Sequence, residues 1–172
     1  MRKFWTASVV FVMVAVIAGC VGNRSAPLTD QEVGDYIADQ EIDAIAVEFI
    51  NDDFVVVLYQ QGSVSGFHML YKDPEGNIQD PSVHGFDSES TPVHLSGSAA
   101  RHPFVTVIVN DASMMERADR IEVTFEDGRV VRRKRMGKGA IIPYGTEING
   151  SMSYSSVVLY DAENREVYAY PS

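Results

Sequence analysis

The chain has 172 residues, and its 14 Lys and Arg against 24 Asp and Glu give a formal net charge of −10. That length suits one domain that buries a sizeable core. The acidic balance excludes general nucleic-acid binding, which draws its affinity from neutralised phosphates.

The first 19 residues have the pattern of a secretory signal. Arg2 and Lys3 are followed by an uncharged, apolar stretch from Phe4 to Ala18. A basic start, an apolar run and small residues before a cleavage point are typical of such signals. The run is shorter than the ~20 residues that a membrane-spanning helix needs.

The chain's only cysteine follows directly, in Ile17-Ala18-Gly19-Cys20. This stretch resembles the lipobox of bacterial lipoproteins. The resemblance implies a diacylglyceryl group on the Cys20 sulfur, cleavage after Gly19 and further acylation of the new amino group. Two or three acyl chains, such as palmitate, would anchor the protein stably to a membrane.

The lipobox predicts a division of the chain and a location. The signal peptide occupies residues 1–19, a polar tether 20–28 and a folded domain 29–172. Cleavage would remove two basic residues and no acidic one, so the mature chain would be still more acidic. The protein should lie outside the cytoplasm, on the outer face of the cell membrane. With Cys20 lipidated, no thiol remains for a disulfide or a thiolate metal site.

The folded part opens with a helix signal and continues as strands. Thr29 to Glu32, "TDQE", has the spacing of a helix capping box. Phe54 to Tyr59 and Phe104 to Asn110 are apolar on both faces, which is typical of interior strands. "DASMMERA" predicts one helical turn.

Many short strands with regular turn signals predict an all-β fold. We expect a single β-sandwich with a short N-terminal helix, and an immunoglobulin-like arrangement is compatible with it. A small β-barrel is the alternative.

Asp127-Gly128 is the strongest hairpin signal in the chain. A two-residue loop at this point would pair Glu126 with Arg129 and Glu122 with Arg133. The same register would place Arg132 beside Val123 in the core, where an unpaired charge is costly. The hairpin should therefore bulge or extend beyond the core.

The basic run after this loop is the strongest local anomaly. A protruding hairpin would offer four consecutive cations to an anionic envelope component, such as lipid head groups, phosphate-bearing wall polymers or an acidic partner protein: Arg132, Arg133, Lys134 and Arg135. Cross-strand ion pairs on a solvated edge are the alternative, and they need no ligand.

Three loop histidines, His84, His94 and His102, are residue types that zinc accepts. Their spacing does not make them converge, so they are weak metal candidates and the sequence predicts no cofactor. No catalytic nucleophile is singled out either.

Five of the eight tyrosines fall between Tyr144 and Tyr170. Tyrosine rings stack on sugars, but a hairpin face packed on the core explains most of these positions.

"IEVTFEDGRVV" and "SVVLYDAENREVYAYP" resemble segments of small lipoproteins of Gram-positive bacteria, and the resemblance implies no activity. The sequence favours a non-catalytic binding or interaction module of the cell envelope, because tethering lets weak contacts near a membrane suffice. The alternative is an envelope hydrolase that uses carboxylates or a loop metal.

Overall fold

The computed structural model describes residues 26–85, 91–134 and 137–171. Helix α1 (Asp30–Asp39) begins at the predicted capping box. The Glu32 amide donates to Thr29 Oγ1 over 3.3 Å, and the Thr29 amide donates to Glu32 Oε2 over 2.9 Å. Helix α2 (Ala112–Arg117) is capped by Asp111. No helix in these ranges has both the length and the apolar character needed to cross a membrane.

The strands are short and follow one another closely along the described parts of the chain. They are β1 (Ala44–Ile50), β2 (Phe54–Gln61), β3 (Val64–Lys72), β4 (Ile78–Gln79), β5 (Val83–His84), β6 (Val93–Ser98), β7 (Phe104–Val109), β8 (Arg120–Phe125), β9 (Val130–Lys134), β10 (Gly139–Pro143), β11 (Tyr154–Tyr160) and β12 (Glu166–Tyr170).

These strands form three antiparallel sheets. The first sheet has the order β1-β2-β3, with β4 and β5 both paired to β3. The middle sheet is β10-β7-β6, and the third sheet is β12-β11-β8-β9. The expected all-β, sandwich-like fold is confirmed, and none of the sheets closes into a barrel within the described ranges.

Strand β7 explains how the sheets stack. Every residue of β7 is buried, because its two faces serve two different cores. Phe104 and Ile108 pack on the first sheet, against residues such as Leu58. Val105 and Val107 point the other way and pack on the third sheet. The two-sided apolar pattern of β7 is therefore that of a central strand.

Helix α1 covers the outer face of the first sheet. Val33 of the helix is buried against Val55, Val57 and Leu70 of β2 and β3, together with Leu28. The strand β2 is consequently covered on both faces, as its sequence predicts. The capping box fixes where α1 begins, and this small core docks the helix on the sheet.

The β8–β9 hairpin bulges, which is one of the two outcomes that the sequence predicts, and its loop is one residue longer than Asp127-Gly128 alone. The Phe125 amide donates to the Arg129 carbonyl over 2.8 Å, so three residues, 126–128, form the loop. Gly128 has φ +85°, a left-handed conformation that accommodates the extra residue as a bulge.

The extra loop residue reverses the faces of β9. Arg132 pairs with Glu122 on the solvated face, while Val131 lies beside Val123. A shift of one position moves every side chain of a strand to the other face. The bulge thus places Arg132 outside the core. It avoids the buried, unpaired charge that a two-residue loop would create.

Candidate functional site

The candidate site, which we call the α1 cleft, is an open cleft of about 560 Å³ between the C-terminal end of α1 and the edge of the first sheet. Most of its walls are polar or aromatic. Its lining consists of Tyr36, Gln40, Glu41, Ile42, Asp43, Tyr59, Gln61, Val64, His68, Asp80 and Ser82.

Strand alternation brings two aromatic side chains into this cleft. In the β2–β3 pair, Val57 lies opposite His68 and Tyr59 opposite Gly66. Tyr59 follows Val57 by two positions, so it shares the face that α1 covers. The rings of Tyr59 and His68 lie 5.0 Å apart.

Gly66 is required at this point of β3. A Cβ there would lie 2.7 Å from the Tyr59 hydroxyl and 2.4 Å from the Val83 carbonyl oxygen.

Asp80, just after β4, joins the helix to the sheet. Its Oδ2 accepts a hydrogen bond from the Tyr36 hydroxyl over 2.8 Å and lies 2.8 Å from His68 Nδ1. A carboxylate at Nδ1 favours the tautomer that carries its proton there. The other carboxylate oxygen, Oδ1, is buried and has no hydrogen-bond partner in the described structure. Such an oxygen retains the capacity to accept a donor.

The two cleft tyrosines are held in their neutral form. Burial, followed by the hydrogen bond to Asp80, raises the pKa of Tyr36 to about 12. Burial and the nearby Asp80 charge also raise the pKa of Tyr59. Both side chains therefore present neutral phenol rings at neutral pH.

The charges around the cleft are mostly negative. Glu41, Asp43 and Asp80 line it, and the described lining contains neither Lys nor Arg. His68 is the one histidine among the described lining residues. Carboxylate acceptors beside neutral aromatic rings are suited to holding a positively charged group.

Sequence reasoning did not find this site. Tyr36 and Asp80 are 44 positions apart, and no motif spacing links them. The one available signal was His68, a polar residue in strand β3 between the buried Phe67 and the apolar Met69 and Leu70.

The structure does not bring His94 and His102 together. His102 is buried beside Phe54, with Nε2 2.7 Å from Asp53 Oδ2 but without hydrogen-bond geometry. His94 lies on β6 and lines a different cavity, where burial lowers its pKa. The side chain of His84 lies outside the described residues. Within the described ranges, no three His, Cys, Asp or Glu side chains form a group that could hold a metal.

The described cations of the basic run have carboxylate partners. Arg132 Nε donates to Glu122 Oε2 over 2.7 Å, and Arg133 forms a bidentate ion pair with Glu48. Lys134 Nζ is 3.8 Å from Asp119. Arg135 and Cys20 lie outside the described residues, so contact with an external anion and lipidation of Cys20 both stay predictions.

Comparison with known proteins adds no relative: no family model, curated protein or solved structure matches the chain.

Proposed function

We propose that the protein is a lipid-anchored binding module of the cell envelope that holds a small, positively charged ligand in the α1 cleft. One observation carries this proposal. Asp80 is held by hydrogen bonds to Tyr36 and His68, and it lines one open cleft together with Glu41 and Asp43.

The arrangement suits an amine or a quaternary ammonium group. A cation gains from carboxylates in a partly desolvated site, and hydrogen bonds to a charged group are stronger than neutral ones. The neutral rings of Tyr36 and Tyr59 also line the cleft, and aromatic rings attract cations through the cation–π interaction. The cleft volume lies within the ~300–1,000 Å³ that is usual for small-ligand sites.

The proposal keeps the lipid anchor at Cys20 that the lipobox implies. An anchored domain meets membrane-associated or wall-derived ligands at a raised effective concentration, so modest affinity suffices. The place of action is then the outer face of the cell membrane, and partners would be the membrane itself and envelope components.

The cleft favours this binding role over the hydrolase alternative. Hydrolysis by carboxylates needs an acid and a base with separated pKa values on either side of the scissile bond. Here the central carboxylate is held by two fixed hydrogen-bonding neighbours, Tyr36 and His68. That arrangement fixes an acceptor in place, as a binding site requires.

The ligand test uses the full-length chain in detergent and isothermal titration calorimetry with choline, lysine and spermidine. At least one cation should bind, and 3,3-dimethyl-1-butanol, the uncharged analogue of choline, should not. Affinity should fall about tenfold or more in Asp80→Asn and, less steeply, in Asp43→Asn, because each removes a negative charge. The exposed Glu116→Gln on α2 is the charge-matched control. Equal affinity in Asp80→Asn and Glu116→Gln would contradict the proposal.

The anchor is tested separately by labelling bacteria that express the chain with radioactive palmitate. The wild-type protein should carry label and sediment with membranes. Cys20→Ser should lose both properties. Label that persists in Cys20→Ser would place the lipid elsewhere.

A further inference from the structure

A second groove, the tyrosine groove, lies at the edge where the middle and third sheets meet. It has a volume of about 400 Å³. Its walls come from edge strands β6 and β12, from the start of β11 and from the two residues before β6. The lining consists of Thr91, Pro92, Val93, His94, Leu95, Tyr154, Tyr168 and Tyr170.

The tyrosines are only partly covered by the core. Tyr168 lies opposite Leu159, and Tyr170 opposite Val157, so both share the inner face of the third sheet. The sequence predicts that packing of this face on the core accounts for most of the C-terminal tyrosines. However, β12 is the last strand of its sheet, and Tyr170 remains 46% exposed. Packing on the core therefore leaves the outermost ring, Tyr170, nearly half exposed.

The three tyrosines come from the third sheet and form an aromatic wall of the groove. The centroids of Tyr154 and Tyr170 lie 6.0 Å apart at 54°. Tyr168 and Tyr154 are half-buried and therefore fixed, whereas Tyr170 stands at the open side. A wall of this kind offers ring faces to a flat ligand without needing much side-chain ordering.

The hydroxyls of Tyr154, Tyr168 and Tyr170 make no hydrogen bond to any group in the described structure, and none of these oxygens is a buried unsatisfied atom. They remain able both to donate and to accept. Burial, the first cause, raises the pKa of Tyr154 and of Tyr168, so these phenols are neutral at physiological pH.

The described lining of the groove carries no formal charge, in contrast to the acidic lining of the α1 cleft. None of the described residues that line it is Asp, Glu, Lys or Arg. Burial lowers the pKa of His94, which keeps that imidazole neutral at physiological pH. A charged ligand would lose hydration here and find no opposite charge in return.

We infer that the tyrosine groove binds a neutral sugar ring of an envelope glycan. A pyranose presents C–H groups on one face, which pack on aromatic rings, and hydroxyls on its rim. The rim hydroxyls form hydrogen bonds with the tyrosine hydroxyls and with His94, which are uncharged donors and acceptors like the sugar hydroxyls themselves. The groove differs from the α1 cleft in location and in charge, so the two sites select different chemistry.

The test measures binding of neutral oligosaccharides to the full-length chain in detergent. The probes are cellohexaose, galactohexaose and chitohexaose. Their binding is measured by saturation-transfer NMR and calorimetry. At least one should bind, and Tyr170→Ala should weaken it about tenfold, the loss typical of a stacked ring. Tyr154→Phe keeps the ring and should lose less. Tyr71→Ala is the control, because Tyr71 is 40% exposed and lies on β3, away from this groove.

The charged analogue separates the two sites. Chitosan hexamer carries ammonium groups, and any binding at the α1 cleft should respond to Asp80→Asn and not to Tyr170→Ala. Failure of all three neutral probes overturns the inference, as does binding that Tyr170→Ala and Tyr71→Ala weaken equally. Self-association that Tyr170→Ala abolishes, without sugar binding, would instead make this edge an interface between two copies. None of these results depends on whether choline or lysine binds at Asp80.

Discussion

Arg133 of β9 and Glu48 of β1 join the two outer sheets of the stack. Arg133 Nη1 donates to Glu48 Oε2 over 3.1 Å, and Nη2 contacts Oε1. The pair lies beside β10, an edge strand of the middle sheet. Residues of β10 line the same small cavity as Arg133 and Glu48. Arg133, which the sequence predicts as a contact for an external anion, therefore forms an ion pair between two sheets of its own chain.

This ion pair should couple energetically across the sheets. In a double-mutant cycle, Arg133→Ala and Glu48→Ala should show a coupling free energy of about 1 kcal/mol, near the upper end for partly exposed pairs. The Arg132 and Glu122 pair is the matched control. It lies within one hairpin, and Arg132 is 61% exposed, so its coupling should stay below about 0.5 kcal/mol. Urea unfolding measures both, and equal couplings would contradict a stabilising contact between the sheets.

Two glycine substitutions should have opposite effects on stability. Gly97 has φ +149°, and a Cβ there would lie 2.1 Å from the Phe104 carbonyl oxygen. Gly97→Ala should therefore lower the free energy of unfolding by about 2–3 kcal/mol. Gly34 is exposed within α1 and has open space around it, so Gly34→Ala should raise stability by about 0.5–1 kcal/mol. Chemical denaturation decides, and a neutral Gly97→Ala would refute the close approach of β6 and β7.

The acid limb of the stability curve should depend on Glu32. The hydrogen bond from Lys72, followed by those from Thr29, lowers the pKa of Glu32 from 4.5 to about 2. A depressed folded-state pKa contributes stability that is complete above pH 4.5 and is lost as the pH falls towards 2. In Glu32→Gln, the free energy of unfolding should fall less steeply as the pH decreases from 4.5 to about 2.

The measurement is thermal unfolding between these two pH values. Glu75→Gln, in the exposed turn after β3, is the control and should leave the slope unchanged. An unaltered slope in Glu32→Gln would mean that the capping box and the Lys72 pair do not contribute to acid stability.

Removal of the Tyr36 hydroxyl should destabilise the α1 cleft even without a ligand. In Tyr36→Phe the part-buried Asp80 loses one of its two partners and already has an unpartnered oxygen. We expect a loss of about 1 kcal/mol in the free energy of unfolding. The control is Tyr71→Phe, at an exposed tyrosine, where the change should be close to zero. Similar values for both variants would show that the Asp80 hydrogen bond does not hold the helix to the sheet.

Local pattern was sufficient for the secondary structure and for its coarse class. Thr29 and Glu32 predict the start of α1 because a capping box involves residues three positions apart. The two-sided apolar runs of β2 and β7 predict interior strands, since only strands covered on both faces avoid polar residues. For the β8–β9 hairpin the sequence left a bulge and an extension beyond the core open, because the Asp-Gly signal alone does not determine loop length.

By itself, the sequence determined the helix start and the all-β character, since each rests on neighbours a few residues apart. Only the tertiary structure decided that Asp80 meets Tyr36 and His68, and that Arg133 meets Glu48, 85 positions away. Periodicity says which face of a strand is buried, but not which distant element covers it. The pairing of remote strands and the docking of α1 choose those partners, and with them the site.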